Sequence, residues 1–152
     1  MRRVSDARRA ALLQAFQATG YVVGPHPLVG GVKHVLRVGA PHPALDATLT
    51  AHGHATWAFL TAWNPHARTR SPRTNAGLQR TLRGLLEARG QAFVPAVGVA
   101  EDRSWSEESL FVPGLSRDEA WRLGRLFRQE AVLWARVGGA VELLWCQESP
   151  SP

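Results

Sequence analysis

The residue best suited to chemistry in this 152-residue chain is a glutamate that shares a strand face with aromatic side chains. From Trp105 onward, alternation puts Trp105, Glu107, Ser109 and Phe111 on one face and Glu108, Leu110 and Val112 on the other. A carboxylate among aromatics loses hydration, which disfavours its charged form and raises its pKa toward the range of a general acid or base. An ion pair with an arginine of a neighbouring loop is the competing use of Glu107, because structural pairs perturb carboxylates as well. Thr61, Asn64, Asn75 and Gln129 could supply neutral hydrogen bonds, and Trp63 and Trp105 offer flat faces for stacking.

Positive charge gathers nearby. The polar loop His66 to Asn75 carries Arg68, Arg70 and Arg73, and Arg80 follows in the next segment. Thr74 or Asn75 can cap a helix whose apolar stripe is Leu78, Leu82, Leu85 and Leu86, with Gly90 as its stop. The free N–H groups and dipole of such a helix start attract anions, which makes this the best anion site in the chain. It lacks the Gly-rich cradle and lysine of a P-loop, so no nucleoside triphosphate is specified. His42, His52, His54 and His66 flank the run Trp57 to Pro65, yet no cysteine, HExxH motif or carboxylate at ligand spacing joins them. No metal and no cofactor is expected. The single cysteine, Cys146, sits at the end of the apolar run Val141 to Trp145, which favours burial over reactivity.

The elements that must position these residues centre on Trp57 to Pro65. Alternation there puts Trp57, Phe59, Thr61 and Trp63 on one face and Ala58, Leu60 and Ala62 on the other, and Asn64-Pro65 ends the strand. Upstream, a helix capped by Ser5 runs through Leu12, Leu13 and Phe16 to Gly20, with Arg2, Arg3, Arg8 and Arg9 in solvent. Strands are expected at 21–23 and 32–38 and a short helix at 44–52. Downstream, the segment 92–99 reads as an edge or bulged strand, broken by Pro95 and Gly98. Ser116 and Glu119 form a capping box, and Ala120, Leu123, Gly124, Phe127, Ala131 and Trp134 recur at helical spacing, so a long last helix is expected. On that helix Glu130 falls among the apolar residues, while Gln129 falls on the opposite side with Arg122 and Arg125. Which of the two is buried stays open. A final strand at 140–146 precedes a tail, 147–152, that should fray.

These elements predict an α+β fold: one domain over residues 1–152, with a mixed or mostly antiparallel sheet covered on one face by two or three long helices. Composition fits an ordinary globular protein, with 45% hydrophobic and 20% charged residues. No run is long and apolar enough to cross a bilayer and the first residues lack a signal-peptide core, so a cytoplasmic protein without a membrane partner is expected. Residues 1–100 hold 12 Lys and Arg against 3 Asp and Glu, a balance of +9; residues 101–152 hold 6 against 9, a balance of −3. The basic part would attract polyanions, although 17 of the 18 basic residues are Arg, as a G+C-rich genome also produces.

The segments Trp57 to Pro65, Asn75, Trp105-Ser106-Glu107-Glu108-Ser109 and Phe127-Arg128-Gln129-Glu130-Ala131 resemble an uncharacterised bacterial family, domain of unknown function three-two-nine-three, over about residues 21–146. The resemblance implies strands near 21–23 and 32–38 and matches Gln129 as the polar residue of its last motif. It implies no activity.

Three functions fit these residues. The first is a binding module for an anionic, phosphate-bearing ligand, a nucleotide or single-stranded nucleic acid, held by Thr61, Asn64, Asn75, Arg68, Arg70, Arg73, Arg80, Trp63, Trp105 and Gln129. The second is a hydrolase or transferase with Glu107 as general acid or base and Asn64 or Gln129 polarising the substrate. The third is a scaffold in which Asn64-Pro65 is a turn, Trp105 is core and Gln129 clamps backbone. The first two require loops around Asn64, Asn75 and Trp105 to meet in one hollow. Oligomeric state is left open.

Overall fold

A computed structural model describes residues 6–147. The capping role of Ser5, the exposure of Arg2 and Arg3, and the tail beyond Gln147 lie outside the described residues. Seven strands form one antiparallel sheet in the order β2-β1-β4-β5-β3-β6-β7. They are β1 Thr19–Val23, β2 His34–Leu36, β3 Thr56–Leu60, β4 Val94–Ala100, β5 Ser106–Pro113, β6 Ala131–Arg136 and β7 Glu142–Trp145. The four helices among the described residues are α1 Asp6–Gln17, α2 Pro43–Ala51, α3 Pro72–Ala88 and α4 Arg117–Leu126. None is long and apolar enough to cross a membrane.

β3 divides the core as its alternation requires. Ala58 and Leu60 face a cluster with Leu82 and Leu86 of α3 and Ala120 and Leu123 of α4. Trp57 and Phe59 face a second cluster with Leu45 and Leu49 of α2 and Tyr21 and Val23 of β1. Both sheet faces are therefore packed, and the expected single covered face becomes two. A strand apolar on both sides needs a cover on each, since an exposed face would leave Trp57 and Phe59 in water.

The last helix is shorter than its spacing suggests. α4 ends at Leu126, Arg128 turns with φ 55°, and Ala131 to Arg136 form β6 instead of two further helical turns. Ala131 to Ala135 are all buried, so the run is apolar on both faces and its spacing cannot separate strand from buried helix. α3 begins earlier than expected. Ser71 is its cap, its Oγ accepting from the Thr74 N–H at 3.1 Å, with Pro72 in the first helical position. Asn75 is consequently inside the first turn and points inward, at 1% exposure.

Candidate functional site

Beyond Leu60 the chain leaves the sheet through a corner tied from both sides. Thr61 Oγ1 donates to the Glu108 carbonyl (2.7 Å) and accepts from the Trp63 N–H (3.1 Å). From α3, Gln79 Oε1 accepts from the Ala62 N–H at 3.0 Å, and Asn75 Oδ1 accepts from the Asn64 N–H at 2.9 Å. From the α4–β6 turn, Gln129 Nε2 donates to the carbonyls of Trp63 (3.0 Å) and Phe127 (3.3 Å), and the Arg128 carbonyl accepts from the His66 N–H (2.8 Å). Asn64, His66 and Ala67 all have positive φ (49°, 60° and 56°), a conformation that costs non-glycine residues of order 1–3 kcal/mol each and persists only where neighbours over-determine it. Asn75 holds Asn64, and the Arg128 carbonyl and the Arg8 guanidinium hold His66.

This corner walls a hollow of about 160 Å³ on the Trp57 and Phe59 side of the sheet. Thr61, Trp63, Asn64, Trp105, Glu107 and Gln129 line it, so six of the residues singled out in the sequence do converge. Leu12, Ala15 and Phe16 of α1 lie opposite, with Thr19 and Tyr21 at the start of β1 and Glu130 beside Gln129. Asn75 sits outside the lining, supporting the corner. Arg68, Arg70, Arg73 and Arg80 are exposed and also outside it.

Glu107 reaches the hollow because of what faces it across the sheet. It pairs with Gly98 of β4, and Gly98 pairs with Tyr21 of β1, so a residue without a side chain separates the carboxyl from the phenol. Glu107 Oε1 accepts from Asn64 Nδ2 at 3.1 Å, while Oε2 has no hydrogen-bond partner among the described residues. Burial raises the carboxyl above its ordinary pKa, and the Asn64 hydrogen bond opposes part of that rise. Asn64 Oδ1 is itself held, accepting from the Arg70 N–H (2.9 Å) and Asn75 Nδ2 (2.8 Å), so the amide presents its N–H to Glu107 in one orientation. The Tyr21 phenol donates to the Phe16 carbonyl (3.3 Å), and its burial pushes its pKa upward.

Several expected roles change with this geometry. Thr61, Asn75 and Gln129 direct polar atoms to backbone or to Asn64, and Asn64 shares its amide among Arg70, Asn75 and Glu107, so all four help to position the corner. Trp105 is 43% exposed and is not core. Gln129 and Glu130 are both buried, at 7% and 6%, because they occupy a turn between helix and strand where a helical wheel does not apply. Glu130 Oε1 accepts from the Arg8 guanidinium at 2.7 Å; its Oε2 is buried without a partner among the described residues, as is the Trp63 Nε1–H. His42 Nε2 accepts from the Arg37 N–H and His52 Nδ1 meets the Thr48 carbonyl, so both rings are engaged by backbone.

Tyr21, Glu130 and the α1 residues were not foreseen in the sequence as parts of a site. Gly98 leaves room beside Glu107, but only the strand pairing shows that Tyr21 lies beyond it. Leu12 and Phe16 give the same periodic signal whether a helix covers a core or a hollow.

Residues 60–132 match the family described as Protein of unknown function (DUF3293), the same family that the motifs around Asn64, Asn75, Trp105 and Gln129 resemble. That span contains the Asn64 corner, Glu107 and Glu130, whereas α1 and β1 precede it. No curated protein and no solved structure matches the chain.

Proposed function

We propose that the hollow is an acid–base site for a small polar molecule, with Glu107 as the group that exchanges a proton with it, in a hydrolase or transferase. One observation carries this: Glu107 lines the hollow, clamped through a single oxygen by an immobilised Asn64, with its second oxygen unpartnered among the described residues. A carboxyl so held is oriented before the ligand arrives and, being desolvated, shifts toward the pH at which it can both take and give a proton. The volume suits a group about the size of a benzene ring, the ligand that a comparable engineered cavity of about 150 Å³ accepts. The phosphate-bearing ligand expected from the arginines would need a separate surface, since the lining of the hollow holds carboxylates and no Arg or Lys among the described residues.

Turnover of a panel of small esters, amides and glycosides tests the proposal. Glu107→Gln keeps the acceptor for Asn64 and should lower kcat/KM by about 10²–10⁴-fold on any substrate found. Full activity in that variant removes Glu107 from the chemistry.

A further inference from the structure

The hollow does not end at Trp105. A groove of about 370 Å³ adjoins it, sharing Ala15, Thr19 and Trp105, and continues past Glu101, Asp102 and Ser104. Four of the chain's 12 acidic residues, Glu101, Asp102, Glu107 and Glu130, line this pair of hollows, and none of its 18 Lys and Arg does among the described residues. In a protein of net charge +6 that separation is a local inversion of sign. At physiological salt, charges more than about 8 Å away are largely screened, so a ligand in the groove feels these carboxylates, together with Arg8 on Glu130 and Arg37 close to Gly20, more than charges farther off.

The four are not equivalent. Asp102 accepts from the Ser104 N–H at 2.9 Å and lies in solvent, an exposed anion at the outer end. Glu130 lies at the inner end with one oxygen on Arg8, which offsets part of its charge from outside the lining, and with Oε2 buried and unpartnered. A buried carboxylate oxygen without a donor is costly, and a ligand N–H entering the hollow removes that cost. Trp105, exposed between the two ends, can lie along an aliphatic stem or against a cation.

Resting on the hollow being the ligand site, we infer that its ligand class is an extended aliphatic amine or guanidine, with one cationic end donating to Glu107 and Glu130 and a second at Glu101 and Asp102. One ammonium with its first methylenes occupies the inner hollow. A second, a few methylenes away, reaches the outer carboxylates past Trp105.

The test uses the full ¹⁵N-labelled chain and reads the buried indole N–H of Trp63, a residue that lines the inner hollow. The probes are 1,4-diaminobutane, butylamine, butanol and inorganic phosphate at low ionic strength. The diamine should bind about tenfold or more tightly than butylamine, a difference of about 1.4 kcal/mol. The double variant Glu101→Gln/Asp102→Asn should erase the diamine's advantage, and Glu107→Gln should weaken both amines about tenfold. Binding of phosphate, or of butanol as tightly as butylamine, overturns the cationic assignment while leaving the hollow a ligand site. No shift with any probe, or shifts unchanged in Glu107→Gln, overturn the ligand site itself. Retained dispersion of the other amide signals shows that each variant is folded.

Discussion

Asn64 and Asn75, one in the corner that follows β3 and the other inside the first turn of α3, exchange two hydrogen bonds: the Asn64 N–H to Asn75 Oδ1 at 2.9 Å and Asn75 Nδ2 to Asn64 Oδ1 at 2.8 Å. This reciprocal pair fixes the left-handed backbone of Asn64 and, through its remaining N–H, the position of Glu107. The geometry of the hollow thus depends on a residue that does not line it.

Replacing Asn75 should therefore act on stability and on the site together. Asn75→Ala leaves the Asn64 N–H without its acceptor in a buried setting and should cost about 1–3 kcal/mol by denaturant unfolding. Asn75→Asp keeps the acceptor but sets a carboxylate oxygen against Asn64 Oδ1, so it should not restore stability. Wild-type stability in Asn75→Asp would show that the donated hydrogen bond is dispensable.

Glu107 should make stability depend on pH in a defined direction. Its pKa is raised above the ordinary 4.5 in the folded protein, so the native state holds a proton that the unfolded chain has already released. Stability is then unaffected below about 4.5, falls as pH rises toward the folded value, and levels off above it. Glu107→Gln cannot ionise. Its Tm relative to wild type should climb as pH rises above about 4.5, and a difference independent of pH would contradict the desolvated carboxyl.

Gly124 sets how closely α4 lies on the sheet. A Cβ there would collide with Cys146 Sγ and come within 2.8 Å of Val132 Cγ1, both on buried residues. Gly124→Ala should lower stability by about 1–3 kcal/mol, despite alanine's better helix propensity. The same burial pushes the Cys146 thiol up to about 12, so thiol reagents should label it only after unfolding. Unchanged stability in Gly124→Ala would mean that α4 can shift away at little cost.

How much of this was legible depends on the element. The two faces of β3 could be read because Trp57 and Phe59 alternate with Ala58 and Leu60, and the parity of β5 placed Glu107 on the aromatic face. β6 could not be read: Ala131 to Ala135 are buried on both faces, and Phe127, Ala131 and Trp134 happen to keep helical spacing across the turn at Arg128. The start of α3 was missed because Ser71, Thr74 and Asn75 are all competent caps, and only the inward pull of Asn64 decides among them. The site was legible in part. Residues close in the chain to Asn64, Trp105 or Gln129 were found, whereas Tyr21 enters through a strand pairing that short motifs do not encode and Glu130 through the turn between α4 and β6. The arginines of the loop stood out by charge, yet they face solvent while the carboxylates of the acidic last third line the hollow.

The most direct measurement is a side-chain carboxyl NMR titration of Glu107, in the free protein and with butylamine saturating the hollow. A midpoint above 4.5 in the free protein that falls when the ammonium binds is the predicted result, because burial favours the neutral acid and a nearby cation favours the carboxylate. A midpoint at or below 4.5 that the amine leaves unmoved would contradict the account.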